Sequence, residues 1–267
     1  GHPYGVVSSI IKENIKNIKL QDVKDYYEKI FVSSNIVIVV VGDVSEDIVK
    51  EKILKSFDSL KQGKFFTRSI ETPELQENKT VEIIKEDASQ AQIMRGWYVP
   101  ELKTPDFAAL TVLNNILGSA GLTSRLFLEL RDRKGLAYNV RSSLELIKHS
   151  GNFTFYIGTE PKNIDIASKG FDEEINKIIN EPITQEELDA AKRNILGKRA
   201  VFHETNAQQA YYLGLYEILD VGAEFDEVVS LLIKEVTVSQ VQEVARKYLR
   251  KPYITSLVAP SKFLSKV

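Results

Sequence analysis

The sequence predicts an α+β fold, in which tandem homologous α/β-sandwich domains carry helices on one face of a mainly antiparallel sheet and the first domain is incomplete. Three observations carry that prediction. Strand signals and helix signals fall in long blocks rather than in strict alternation. Two strand-like runs are joined by a short turn at His149-Ser150-Gly151, a connection open only to antiparallel neighbours. A helix-then-strand pattern also occurs twice, once near each end of the chain.

Residues 20–31 place Leu20, Val23, Tyr26, Tyr27, Ile30 and Phe31 at spacings of three and four, which makes one apolar helical face. The β-branched run Asn35-Ile-Val-Ile-Val-Val-Val41 ends at Gly42-Asp43 and reads as a strand buried on both faces. Ser45 then offers an N-cap to an amphipathic helix through Ile48, Ile53, Leu54 and Phe57, with Glu46 and Asp47 in its first turn. Residues 63–78 hold no sustained period and read as a linker. After it, residues 80–85 and 91–99 predict strands. Thr104 and Pro105 predict the start of a helix that stops near Gly118, and residues 124–133 predict a second one closed by Lys134-Gly135. Strands are expected over 136–147 and 152–159. The remainder is mostly helical, with a capping box at Thr184-Gln-Glu-Glu187, an amphipathic helix over 237–249 and a closing strand over 253–258.

Aligned on Val23 and Val241, the two helix–strand endings keep the same apolar stripe and nearly the same gap before the strand. Val241 comes late in its unit, far beyond Lys79, whereas Val23 stands close to the beginning of the chain. If the units are homologous, the first lacks roughly 140 residues of its opening. The expected organisation is therefore residues 1–62 as the end of a first domain, 63–78 as linker and 79–267 as a complete second domain.

Composition removes several function classes. The 267 residues carry 35 lysines and arginines against 37 aspartates and glutamates, a net charge of −2, so the basic surface of a nucleic-acid binder is not expected. The absence of cysteine excludes disulfides, thiolate metal sites and thiol catalysis. No run approaches the roughly 20 apolar residues that cross a bilayer, and the first thirty residues lack a signal-peptide pattern, so a soluble chain is expected. The three histidines, His2, His149 and His203, are too scattered for a zinc motif. His203 reads as a satisfied helix-end residue and His149 as a solvated turn residue. Gly118-Ser-Ala-Gly121 shares only its glycines with a phosphate loop, no Gly-x-Ser-x-Gly elbow occurs, and no carboxylate pair stands out.

One segment does stand out. Arg131 falls in the last turn of a predicted helix and Tyr138 seven residues on, early in a predicted strand, so a turn at Gly135 can bring a guanidinium and a phenol to one rim. By spacing alone, a helix-end charge and an unrelated strand aromatic is the simpler reading. The surrounding blocks reverse that preference. Asn115-Ile-Leu-Gly-Ser-Ala-Gly-Leu-Thr-Ser-Arg-Leu-Phe127, Leu130-Arg131, Gly135-Leu-Ala-Tyr138 and Thr184-x-Glu-Glu-Leu-x-x-Ala-Lys192 resemble the second domain of the insulinase/pitrilysin (inverzincin) zinc metallopeptidases, closest to the bacterial processing-peptidase-like subgroup. Gly1-His-Pro-Tyr-Gly5 and Gly42-Asp43-Val44 resemble the latter part of that family's first domain.

The resemblance implies paired α+β domains closing on a peptide or unfolded polypeptide substrate. It implies a zinc held by His-x-x-Glu-His in the opening part of the first domain, whose glutamate acts as general base. That motif is absent here, so no metal role is expected in this chain, not even for His2. The zinc is expected in a preceding segment or in a partner subunit. Arg131 and Tyr138 match the family's substrate-side pair, which implies substrate holding and stabilisation of charge on the attacked carbonyl. The chain alone is expected not to cleave peptides. The alternative is a non-catalytic homologue serving as partner or assembly module. A bacterial cytoplasm or periplasm is the expected compartment.

Overall fold

Among the described residues, five segments build one sheet. The strands are β1 (Lys79–Ile84), β2 (Ala91–Val99), β3 (Ala137–Ile147), β4 (Ser150–Thr159) and β5 (Ile254–Ala259), ordered β1-β5-β2-β4-β3. Strands β1 and β5 pair in parallel; β2 pairs antiparallel with both β4 and β5, and β3 with β4. The computed structural model describes residues 5–66, 70 and 74–264.

On β2, Ala91, Ile93, Arg95, Trp97 and Val99 point into the core, while Met94 lies on the other, solvent-facing side. A two-sided alternation of this kind marks a sheet covered on one face. The cover consists of α4 (Phe107–Asn114), α5 (Ile164–Asn180), α6 (Gln185–Phe202), α7 (Asn206–Ile218), α8 (Phe225–Glu235) and α9 (Val238–Leu249), with α4, α5 and α9 nearest the strands. Trp97, Phe153, Phe155 and Phe171 interlock edge to face at 5.2–5.9 Å at the centre of that core. The fold class and the helices on one face are thus as the sequence predicts.

Local signals explain several helix starts. Thr184, Thr205 and Thr237 each accept from the backbone N–H three residues on, and Glu187, Gln208 and Gln240 reach back to complete capping boxes. Ser45 caps α3 (Glu46–Phe57) as expected. The start of one helix differs from expectation, while its end reaches the predicted stop near Gly118. Helix α4 begins at Phe107 after Asp106, because the Thr104 hydroxyl accepts from the Asp106 N–H in a preceding turn at 3.2 Å. It then continues beyond Asn114 as a wide π-helical turn through Ser119.

The segment that ends at Phe66 differs more. Helices α1 (Ser8–Asn14), which the sequence pattern did not mark, and α2 (Leu20–Ile30) form, but neither has a buried residue. Residues 36–41 are extended at their start yet form no strand, and Val37, Ile38 and Val40 are exposed. The expectation of a strand buried on both faces is corrected. A strand is completed by main-chain partners on its flanks, and no described strand lies beside this run. One side leans on α7, where Gly214 leaves room for Val39. Within the expected linker, 67–69 and 71–73 lie outside the described residues.

Candidate functional site

The site grows from the junction between a helix and the outer strand. Residues 127–133 form a second π-helical stretch, Phe127–Arg133, whose buried Leu130 faces the core while its polar side faces out. Arg125 fixes the start of this helix by a bidentate contact to Glu187 of α6, at 2.7 and 2.9 Å. Its end is closed by the Gly135 N–H donating to the Arg131 carbonyl and the Leu136 N–H donating to the Leu130 carbonyl. Gly135 takes φ +61°, a backbone state that glycine adopts without cost, and the chain turns directly into β3.

That turn brings Arg131 and Tyr138 together. The guanidinium Nη1 donates to the Tyr138 carbonyl at 2.6 Å and lies over two rings, Tyr138 at 4.9 Å and Phe127 at 4.7 Å. Phe127, four residues before Arg131 on the same helical stretch, completes the stack; the sequence reading assigns it no role, although its spacing from Arg131 is legible there. Tyr138 is 79% exposed, at a β-bulge between Ala137 and Asn139 that releases it from the regular register. Its hydroxyl has no hydrogen-bond partner among the described residues. Behind the pair, the Thr159 hydroxyl donates to the Leu136 carbonyl at 2.7 Å and ties the turn to β4. An arginine held by one carbonyl and two rings keeps most of its five N–H donors for an incoming carbonyl or carboxylate.

The pair also opens a free edge. Strand β3 is the outermost strand, so its outward N–H and C=O groups pair with no other described strand. Beside it, the Arg141 guanidinium rests over the Tyr156 ring at 4.4 Å, and the Tyr156 hydroxyl contacts Gln92 on the side of the sheet that carries no helices.

The histidines stand elsewhere. His203 ends α6, with Nδ1 2.9 Å from the Arg199 carbonyl and Nε2 2.9 Å from an Asp226 carboxylate oxygen, and its ring stacks on Tyr212. Both nitrogens are engaged, the satisfied helix-end role that the sequence implies. His149 sits in the β3–β4 turn, its N–H on Glu101. His2 lies outside the described residues. Among the described residues no three of His, Cys, Asp and Glu converge on a metal, so they do not fit the family's zinc.

Residues 17–195 match the family described as "Peptidase M16 inactive domain". The chain belongs to the peptidase M16 inactive-domain family. This M16 chain is 27% identical over 259 residues to the "Non-peptidase homolog YmxG" of Helicobacter pylori and 28% identical over 252 residues to the "Uncharacterized zinc protease YmxG" of Bacillus subtilis. Each alignment covers 94% of the chain but 58% and 60% of the relative, so the chain spans less than two thirds of their length. Among solved structures, a protease from Helicobacter pylori superposes with a TM-score of 0.86 and an M16 inactive domain from Pseudomonas fluorescens with 0.83, both at 27% identity. They match 93% of this chain and 60% and 59% of theirs. The metallopeptidase resemblance read from the motif blocks is therefore borne out. No described helix is long and apolar enough to cross a membrane.

Proposed function

We propose that this chain is the substrate-side, non-metal part of a zinc-dependent endopeptidase of the insulinase/pitrilysin type. The observation that carries the reading is the convergence of Arg131 and Tyr138 at the start of a free-edge strand. An extended peptide added along β3 would satisfy main-chain groups without demanding one sequence. At its end, the Arg131 guanidinium and the Tyr138 hydroxyl would donate to a peptide carbonyl or terminal carboxylate and stabilise charge developing there. Residues 79–267 serve in this reading as a complete second domain, 63–78 as linker and 1–62 as the end of a first domain. The unpaired run 36–41 and the bare apolar face of α2 support that division. The zinc is held in a preceding catalytic segment or a homologous partner subunit. The substrate is a peptide or unfolded polypeptide, in the bacterial cytoplasm or periplasm.

The test combines the chain with a zinc-bearing first domain, in one polypeptide or as a partner. Peptide hydrolysis should require both parts. Arg131→Ala and Tyr138→Phe should each lower kcat/KM by about 10². Chelator-sensitive cleavage by this chain alone, or unchanged kinetics in both variants, refutes the assignment. The relative named as a non-peptidase homologue supports a second reading, a non-catalytic partner or assembly module. A degenerate zinc motif in the upstream reading frame, with no peptidase activity in the combined protein, would favour it.

A further inference from the structure

A concavity lies at the end of the sheet opposite Arg131 and Tyr138. Arg131 and Tyr138 stand near Ala91 and Thr159, where β2, β3 and β4 meet. The other end of β2 lies eight residue steps away, about 27 Å. There a pocket of about 510 Å³ opens between the end of β2, the end of α9 and the chain entering β1. That volume falls within the few hundred to about 1,000 Å³ of small-molecule sites. Its lining includes the apolar surfaces of Leu75, Tyr98, Val99, Pro100, Tyr248 and Pro252.

Its charges divide into a fixed set and an open set. Asp106 accepts from Lys247 at 2.6 Å and from the Tyr248 hydroxyl at 2.5 Å, so Lys247 is matched and the Tyr248 ring is locked in the wall. Lys251 and Glu74 also line the pocket and have no ion-pair partner among the described residues. The Lys251 ammonium stands 5.2 Å from the Tyr248 ring centre, a site that accommodates the cation without neutralising it. The Tyr98 hydroxyl has no hydrogen-bond partner among the described residues either. One open cation, one open carboxylate and an apolar floor complement a ligand with both charges and a hydrophobic body.

We propose that this pocket binds a small apolar zwitterion, the chemistry shared by a free hydrophobic amino acid and a hydrophobic dipeptide. The ligand's carboxylate meets Lys251 and the Tyr98 hydroxyl, its ammonium meets Glu74, and its side chain lies against Tyr248, Pro100 and Pro252. The assignment is independent of the role given to Arg131 and Tyr138.

The experiment titrates the intact 267-residue chain with L-phenylalanine and, separately, with the dipeptide Leu-Phe, following backbone amide shifts by NMR. Saturable shifts around Tyr98, Tyr248 and Lys251 are expected with at least one ligand, and the tighter of the two identifies the source. N-acetyl-phenylalaninamide, which has the same ring and neither charge, should bind at least about tenfold more weakly. Lys251→Met and Glu74→Gln, both at exposed positions that leave the fold intact, should each weaken binding about tenfold. No saturable shift up to about 10 mM, equal binding of the uncharged analogue, or unchanged affinity in Lys251→Met overturns the proposal.

Discussion

Helix α9 with β5, and α2 with residues 36–41, follow one sequence pattern and meet two fates. In the first, Val241, Val244, Ala245, Tyr248 and Leu249 are buried, and β5 is paired on both sides, parallel to β1 and antiparallel to β2. In the second, the helix forms with no buried residue and the strand does not form. A helix closes its hydrogen bonds four residues away within itself, so its shape, unlike its stability, needs no partner. A strand closes its bonds on neighbours. The same local code therefore specifies the shape of a helix but a strand only conditionally.

The sharpest way to break this comparison is to place a carboxylate at the two aligned positions. Val241 is 0% exposed and Val23 is 55% exposed. Val241→Asp buries an unpaired charge and should cost more than about 4 kcal/mol, enough to unfold a domain of ordinary stability. Val23→Asp should change stability by less than about 0.5 kcal/mol in this chain. Urea melts followed by circular dichroism measure both. Equal effects would mean that the two faces are not differently buried. Joined to the zinc-bearing first domain of the proposed function, the chain should become as sensitive to Val23→Asp as to its counterpart, if that domain covers α2.

Next in size is a contact that exists only in the sheet-bearing region. A Cβ on Gly118 would fall 2.0 Å from the Ser142 backbone nitrogen, so the π-helical turn touches β3 main chain to main chain. Gly118→Ala should cost about 3 kcal/mol and displace the strand that begins beside Arg131. Gly197, in the middle of α6 with nothing within 4 Å of an added methyl, supplies the control: Gly197→Ala should stabilise by about 0.5–1 kcal/mol. Similar effects at both positions would deny the close approach.

These residues also mark what the sequence could and could not reveal. Strand β2 lies on its predicted residues, and the Thr184–Glu187 box forms, because alternation and capping are written in neighbouring residues. The turn that unites Arg131 with Tyr138 was legible through Gly135. The π-helical turns were not, since no residue type marks the extra residue per turn and their cause lies in packing. The same holds for residues 36–41, whose valines and isoleucines state a preference for a sheet without supplying one. The roles of Arg131 and Tyr138 came from the family resemblance, because one partly exposed arginine and one exposed tyrosine carry no chemical signature alone.

Acid stability should depend on the sheet-bearing region as well. Burial pushes Asp106, Glu187 and Asp226 up, but it is outweighed by hydrogen bonds from Lys247 and Tyr248, from Arg125 and the Thr184 N–H, and from Arg199 and His203 respectively. Each is held below its ordinary value of 3.8 or 4.5. A carboxyl depressed in the folded state stabilises above its unfolded pKa, and that contribution is lost as pH falls through the folded one. Stability should therefore drop below about pH 4.5, and Asp226→Asn combined with Glu187→Gln should flatten that limb in urea melts taken from pH 5 to 2. Tyr248 gives the opposite limb: burial first and its hydrogen bond to Asp106 second raise it from 10.0 to about 12. Its contribution is present below pH 10 and lost as pH rises toward 12, so Tyr248→Phe should flatten the alkaline limb. An unchanged profile in the variants would place the titrating groups elsewhere.

The smallest expected effect on stability falls where the largest effect on function is proposed. Tyr138 leaves the regular register at a bulge, its hydroxyl has no described partner, and its ring covers one side of a partly exposed guanidinium. Tyr138→Phe keeps the ring and the main-chain carbonyl that Arg131 grips, so the melt should move by less than about 0.5 kcal/mol. A side chain whose polar atom the fold does not use, on a turn that the fold holds in place by Leu130, Leu136 and Thr159, is free to serve a ligand. Should the same substitution lower kcat/KM of the combined peptidase about a hundredfold, the loss can be read as a missing hydroxyl rather than a loosened domain. A melt shifted by about 2 kcal/mol or more would instead make the hydroxyl part of the scaffold, and its role toward substrate would have to be given up.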